Sequence, residues 1–297
     1  MPPPSPPERP PERPRPERSR PEPPGWLPDL VESARAADGV PPFSDRALVE
    51  ARTGVRALVT LGDIAAAIVT DAEAELVVHP EARRRGHGTA LLDAVLETAR
   101  PGLLVWAHGD LPGARALAVR RGFRTVRTLR QLRAAVPPDA VPPDAVPPDA
   151  GGLRLRPFRP GEDEDAWLEL NRRAFAAHPE QGRLGAAELA ELEREPWFDA
   201  GTFLLGWERG ALAGCCWLKI DPAEPGIGEV YVMAVDPARQ GAGLGGALLE
   251  AGLALLARRG IRTAALYVEA DNATALALYR RAGFLERSAD VQYRWDG

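Results

Sequence analysis

The spacing of apolar residues changes along the chain, and each change predicts an element. Leu27, Leu30, Val31 and Ala34 recur at helical spacing, and Ser44 stands as an N-cap ahead of a helix over 45–51. Short apolar and β-branched runs over 57–61, 64–70 and 74–78 read as strands, with Asp71 in a turn. A helix over 90–99, a strand over 103–107 and a helix near 113–121 follow. The series then begins again, with a strand over 153–157 and a helix over 164–176 that buries Trp167, Leu168, Leu170 and Phe175. A helix over 186–193, strands over 202–208, 212–220 and 229–235, a helix over 244–259 and a strand over 264–268 come next. Asn272 caps a final helix that runs to Arg281 and ends at Gly283. Strands alternating with helices, twice over, predict two α/β domains in tandem, each with a mixed sheet.

Two segments lack any such pattern. Residues 1–25 contain 12 prolines and few apolar side chains, so they are expected to form a disordered tail. Residues 136–150 are Val-Pro-Pro-Asp-Ala repeated three times, a semi-extended linker. The predicted domains are therefore 26–135 and 151–297, which a chain of 297 residues can accommodate.

One stretch carries more chemistry than the rest. The strand over 229–235 is stopped by Asp236-Pro237, and Gln240, Gly241, Gly243, Gly245 and Gly246 then lead into an apolar helix. The first amides of a helix have no intrahelical acceptor, and the helix dipole adds positive charge there. Glycines let a phosphate come close to those amides. A lone glycine-rich turn is weak evidence, but a strand before it and a helix after it are the context an anion site needs. A dinucleotide fingerprint fits less well, because no G-x-G-x-x-G opens a βαβ unit here.

The first half repeats the order: a strand, His79-Pro80, Arg83-x-x-Gly86-x-Gly88 and a helix, with Gly122-Phe123 echoing Gly283-Phe284. Counting from these landmarks puts Ala72 where the second half has Glu229, and Ala118 where it has Tyr279. The first copy keeps a phosphate turn, enriched by Arg84 and Arg85, and lacks the acid and base.

Charge and composition narrow the classes. A net charge of −5 argues against general nucleic-acid affinity. No apolar run reaches the roughly 18 residues of a membrane span, and no apolar signal core opens the chain, so a cytoplasmic protein is expected. Cys215 and Cys216 are neighbours on one strand and point to opposite faces, which suits buried apolar residues rather than a disulfide or a metal site. No metal is expected, and a monomer is.

The motif Gln240-Gly241-Ala242-Gly243-Leu244-Gly245, with Asn272, Tyr279 and Gly283-Phe284 behind it, resembles the acetyl-CoA-binding core of the GNAT acetyltransferases over residues 152–297. The resemblance implies two tandem GNAT folds joined by the proline-rich linker. It assigns the pyrophosphate of acetyl-CoA to Gln240–Gly246 and the pantetheine arm to the strand end Met233, Ala234 and Val235. It also directs the helix start Asn272, Ala273, Thr274, Ala275, Leu276 and Ala277 toward acetyl-CoA. The strand end Leu76, Val77 and Val78 is the first-half counterpart.

Acetyl transfer to an amine needs a base for the ammonium proton and an acid for the leaving thiolate. Glu229, at the start of the strand, suits the base; a solvated strand-edge glutamate is the alternative. Tyr279 lies two turns beyond Asn272 on the same helix side and suits the acid; a core tyrosine is the alternative. Backbone N–H groups around Met233 to Val235 suit the carbonyl.

Four longer matches are finer: residues 228–237, 266–272, 175–182 and Asp290-Val291-x-Tyr293 resemble the mycothiol synthase family of tandem GNAT enzymes. That resemblance implies a catalytic second domain acetylating the cysteinyl amine of a cysteinyl-glucosaminyl-inositol. It places Glu180, Lys219, Glu229 and Tyr267 against this small-molecule acceptor, and Asp45 where the family has a glutamate. The proline-rich head and the triple repeat depart from the family pattern. The rivals are a GNAT enzyme for another amine, such as a protein N-terminus or an aminoglycoside, and a non-catalytic acetyl-CoA sensor.

Overall fold

The computed structural model describes residues 16–19, 23–137, 152–176, 181–222 and 224–297. Its elements in the first half are β1 (Glu17–Ser19), α1 (Leu27–Asp38), α2 (Asp45–Arg52), β2 (Ala57–Leu61), β3 (Ala65–Val69), β4 (Glu73–Val78), α3 (His87–Leu96), β5 (Leu103–Ala107), α4 (Pro112–Arg120) and β6 (Arg124–Ala135). The second half contributes β7 (Arg154–Pro157), α5 (Glu164–Ala174), α6 (Ala186–Leu192), β8 (Phe203–Glu208), β9 (Ala211–Lys219), β10 (Ile227–Val235), α7 (Leu244–Arg258), β11 (Thr263–Glu269), α8 (Ala273–Arg281) and β12 (Leu285–Trp295). Short 3-10 turns, such as Pro80–Ala82 and Pro237–Arg239, follow β4 and β10. Among the described residues no helix is long and apolar enough to cross a membrane.

The chain forms two compact units, and their borders differ from the predicted ones. The first unit is Met1–Thr128 together with Ser288–Gly297; the second is Leu129–Arg287. β5 pairs antiparallel with Val291–Trp295 of β12. β11 pairs antiparallel with Leu129–Ala135 of β6. Each half of the chain thus supplies a strand to the other half's unit, which the boundary at 135 and 151 does not capture. A second correction concerns the head: Glu17–Ser19 pairs with Leu58–Thr60 of β2, so ordered chain occurs inside the segment expected to be disordered.

In the first unit the strands run in the order β1, β2, β3, β4, β5, β12, with β4 and β5 parallel. Leu58, Ala66 and Ile68 pack with Leu27, Leu30, Phe43 and Ala47 of the α1–α2 layer. Ala57, Val59, Ala65 and Ala67 face the other way, toward Leu91 and Val95 of α3. β3 is buried along all five residues because both of its faces are covered, which gives a continuous apolar run rather than an alternating one.

In the second unit the order is β6, β11, β10, β9, β8, β7, with β10 and β11 parallel. One core lies under α7 and α8 and holds Leu218, Val230, Leu248, Leu266 and Tyr279. The other lies under α5 and α6, where Trp167 and Phe203 pack on Trp217 at centroid distances of 5.5 and 4.3 Å. Cys216 belongs to the first core and Cys215 to the second, as their adjacency on β9 requires. Both thiols are buried, and burial pushes them up, that of Cys215 to about 11, so they stay protonated.

Candidate active site

β10 and β11 run side by side only briefly. Ile227, Gly228 and Glu229 pair with Thr263, Ala264 and Ala265, and the register ends there. β10 continues to Val235, still laddered to β9 on its other edge, while β11 continues to Glu269 along β6. The two strands part, and the β10 edge beyond Glu229 keeps backbone groups that a ladder would have consumed. A shift of register between Val230 and Val232 re-aims the rest of the strand. Val232 and Ala234 then point into the core under α5, and Met233 and Val235 lie against the core under α7.

The glycine turn closes the far end of this opening. Asp236 Oδ1 accepts from Ala238 N at 2.9 Å and starts the turn. Gly241 and Gly243 have φ of 82° and 80°, the left-handed region where a Cβ is strained. Gly243 is the N-cap of α7 and brings no side chain to its first amides, of which Gly246 N donates to the Gly243 carbonyl at 3.1 Å. A Cβ on Gly245 would lie 3.4 Å from Leu278 and 3.8 Å from Val235, so the helix start lies at ordinary contact distance from both strand end and α8. Asn272 caps α8, its Oδ1 accepting from Ala275 N at 3.0 Å.

The expected acid, base and acceptor residues separate by face. Glu229 is half-exposed on the last rung, opposite Lys219 on β9 and level with Ala265 on β11. Gly228 points toward Leu256 of α7, so Glu229, Lys219 and Ala265 point to the opposite face. Tyr267, 39% exposed, shares that face, and its Oη accepts from Gln131 Nε2 at 2.9 Å. Lys219 Nζ sits 5.1 Å from the ring centroid of Trp197, which itself packs on Tyr231. Tyr279 belongs to the other face: it is 7% exposed, in the α7–α8 core, with its ring 5.8 Å from that of Phe284. Burial pushes its phenol well above the usual tyrosine range. Glu180 lies outside the described residues. Asp45 is in the first unit, exposed in the first turn of α2.

The first unit repeats the architecture with different contents. β4 and β5 pair from Glu73↔Leu104 to Glu75↔Trp106, and Leu76, Val77 and Val78 run on beyond the ladder. The turn that follows has the same left-handed positions, now Arg84 with φ of 63° and Gly86 with φ of 89°. Gly88 stands where Gly245 does: a Cβ there would lie 3.5 Å from Val78 and 4.0 Å from Leu117. A cavity of about 630 Å³ opens at this point, lined by Leu76, Val78, Arg84, Gly88 and Trp106 among others. The Arg83 guanidinium is already engaged, donating to both Asp38 oxygens at 2.6 and 2.7 Å and to the Val78 carbonyl at 3.0 Å.

The splay of the first unit does hold a carboxylate, and it is not at the position that counting suggests. Glu75, not Ala72, is the last residue of β4 laddered to β5. It is 2% exposed and fully occupied. Its oxygens accept from Ser44 N at 2.6 Å, Ser44 Oγ at 2.8 Å and His108 Nε2 at 3.1 Å. The other ring nitrogen of His108 meets Asp290 at 3.0 Å, and Asp290 also accepts from Gly109 N at 2.8 Å. Burial alone would lower the His108 pKa, but its bonds to Asp290 and then Glu75 outweigh that and push it up to about 9. Burial likewise works against the Glu75 carboxylate, and the His108 and Ser44 contacts hold it below its ordinary range. The signal that reveals Glu75 is an acidic residue at an inward position of an apolar strand, which is costly unless paired.

Comparison with known proteins agrees with this geometry. The acetyltransferase (GNAT) family model matches residues 164–284, and a second GNAT domain model matches residues 48–125. A mycothiol acetyltransferase of Clavibacter michiganensis is 50% identical over 278 residues, covering 90% of this chain and 89% of that protein. The chain belongs to the mycothiol acetyltransferase family. It is thus a GNAT acetyltransferase with two such domains in tandem. Another mycothiol acetyltransferase, from Geodermatophilus obscurus, is 46% identical over 89% of this chain and 92% of its own. Among solved structures, a tandem GNAT protein from the clavulanic acid biosynthesis pathway has a TM-score of 0.62 at 20% identity, covering 95% of this chain and 99% of that one. That likeness speaks for the tandem fold alone.

Proposed function

We propose that the second unit transfers acetyl from acetyl-CoA to the cysteinyl amine of a cysteinyl-glucosaminyl-inositol, the last step of mycothiol biosynthesis. The observation that carries this reading is Glu229: a half-exposed carboxylate on the last rung before β10 and β11 part, level with Lys219 and on one face with Tyr267. The relatives' shared name supplies the acceptor class.

Acetyl-CoA supplies the acetyl group as a thioester. The turn Gln240–Gly246, at a helix start without a side-chain cap, suits the pyrophosphate, and the β10 edge beyond its ladder with β11, at Met233, Ala234 and Val235, suits the amide-rich arm. The same edge amides suit the thioester carbonyl. An α-amine titrates near 8, roughly, so a fraction of the acceptor arrives as ammonium. Glu229 takes that proton and frees the nucleophile. Tyr279, kept protonated by burial, holds a proton for the departing thiolate. Asn272–Ala277 frames the arm from the α8 side.

The first unit, in this reading, binds acetyl-CoA at Leu76–Val78 and its turn without turning it over, because its splay carboxylate is locked. An assay of the full chain against cysteinyl-glucosaminyl-inositol, an aminoglycoside and a peptide N-terminus tests the main reading. Preference for either of the last two overturns it. Counting acetyl-CoA sites by calorimetry tests the rest: two are expected, and one after Gly243→Val.

A further inference from the structure

The face that carries Lys219, Glu229 and Tyr267 continues past β11 onto β6. Ala265 is paired with Arg133, and Tyr267 with Gln131. Directly opposed residues of an antiparallel pair share a face, so Arg133 and Gln131 lie with Glu229. Their neighbours Leu132 and Ala134 confirm the alternation by packing in the α7–α8 core. One row of the sheet therefore reads Lys219, Glu229, Ala265, Arg133 across four strands. At a strand spacing of about 4.8 Å the row spans roughly 14 Å, the length of an extended acceptor of three linked groups. Ala265, buried, presents only a methyl between Glu229 and Arg133, so no long side chain of the row stands between them. Arg133 is half-buried, and its Nε is fully buried with no hydrogen-bond partner among the described residues. A buried donor of that kind calls for a ligand or water.

We propose that Arg133 and Gln131 are specificity-determining residues of the acceptor site, donating hydrogen bonds to the hydroxyl oxygens of a polyol whose amine lies at Glu229. The proposal rests on the polyol-acceptor reading of the second unit. Hydroxyl oxygens accept, and the fixed fork of a guanidinium matches two neighbouring ones. The pair Arg133 and Lys219 also repels a second ammonium, so the row favours a neutral polyol over a polycationic amino sugar. Sequence spacing hides these two residues because they stand in the half of the chain that lacks the acid and base.

The test uses the full-length protein with two acceptors, cysteinyl-glucosaminyl-inositol and cysteinamide, which keeps the amine and lacks the polyol. Arg133→Ala is expected to raise KM for the polyol acceptor about 10- to 100-fold, the range for a hydrogen bond to a charged group. It should leave kcat, the KM for acetyl-CoA and all cysteinamide kinetics close to wild type. Gln131→Met should erode the same preference less. If Arg133→Ala does not fold, as judged by melting and acetyl-CoA binding, Arg133→Met and Gln131→Met decide. Equal losses on both acceptors, or an unchanged ratio of kcat/KM between them, overturn the proposal while the function stands. A wild-type protein that does not prefer the polyol acceptor overturns the function and this proposal together.

Discussion

The two units present a carboxylate at the same topological place and treat it in opposite ways. Glu229 ends the β10–β11 ladder partly exposed. Glu75 ends the β4–β5 ladder buried, with Ser44 and His108 on its oxygens. The glycine turns behind them are alike down to Gly245 and Gly88, each wedged between a valine and a leucine. In the proposed reading, the scaffold that receives acetyl-CoA is separable from the group that takes the acceptor's proton. What differs between the two places is how far the carboxylate is exposed, not whether a carboxylate is present.

The sharpest way to break this contrast is to neutralise each carboxylate in turn. Glu229→Gln should cut kcat about 100- to 10,000-fold at neutral pH, the usual weight of a general base, with acetyl-CoA binding intact. Glu75→Gln should leave acetyl transfer unchanged and destabilise the first unit by about 3–5 kcal/mol in a denaturant titration, as for a broken buried pair. Equal kinetic effects from the two changes would erase the distinction. Next comes Tyr279→Phe, expected to slow turnover by roughly 100-fold. Because burial holds the phenol above its ordinary range, the wild-type rate should stay level to at least pH 10. An alkaline loss centred near 10 that vanishes in Tyr279→Phe would show an exposed phenol instead.

A smaller effect follows from His108. Its folded pKa of about 9 lies above the ordinary 6.5, so its contribution to stability is complete below 6.5 and is lost as pH rises through 9. Glu75, held below its ordinary 4.5, contributes above that value and loses its contribution as pH falls through the lowered one. The first unit should melt highest between these limits, and His108→Gln should flatten the alkaline decline. Calorimetry that finds no pH dependence there would remove the charge from His108. The smallest effect concerns Arg84, which holds φ of 63° where the second unit has Gly241. Arg84→Gly should stabilise the first unit by about 1 kcal/mol, since glycine carries no steric cost in that region.

Much of this was legible in the sequence. The two turns, the helices behind them, the adjacent buried cysteines and Glu229 on its strand all follow from period and punctuation. Counting failed at Glu75 because it assumes equal arms: the ladder ends six residues before Val235 in one unit and three before Val78 in the other. β6 escaped notice because arginines at 124, 127, 130 and 133 give a spacing of three, which obscures the strand period. β12 mixes charged and apolar residues, is buried only at Asp290, Val291 and Gln292, and pairs with β5 over Val291–Trp295. Neither exchange of strands leaves any local trace, since pairing partners so far apart in sequence are selected by tertiary fit alone.

The exchanged strand also sets a clock on synthesis. Asp290, which completes the His108 clamp, is translated 182 residues after it. At ribosomal speeds that delay is on the order of ten to thirty seconds. Throughout that interval the nascent first unit carries β5 with an unfilled edge, a template for wrong partners. Its maturation cannot run ahead of the second unit in the usual N-terminal-first order, so the first unit becomes a late product of the chain rather than an early one.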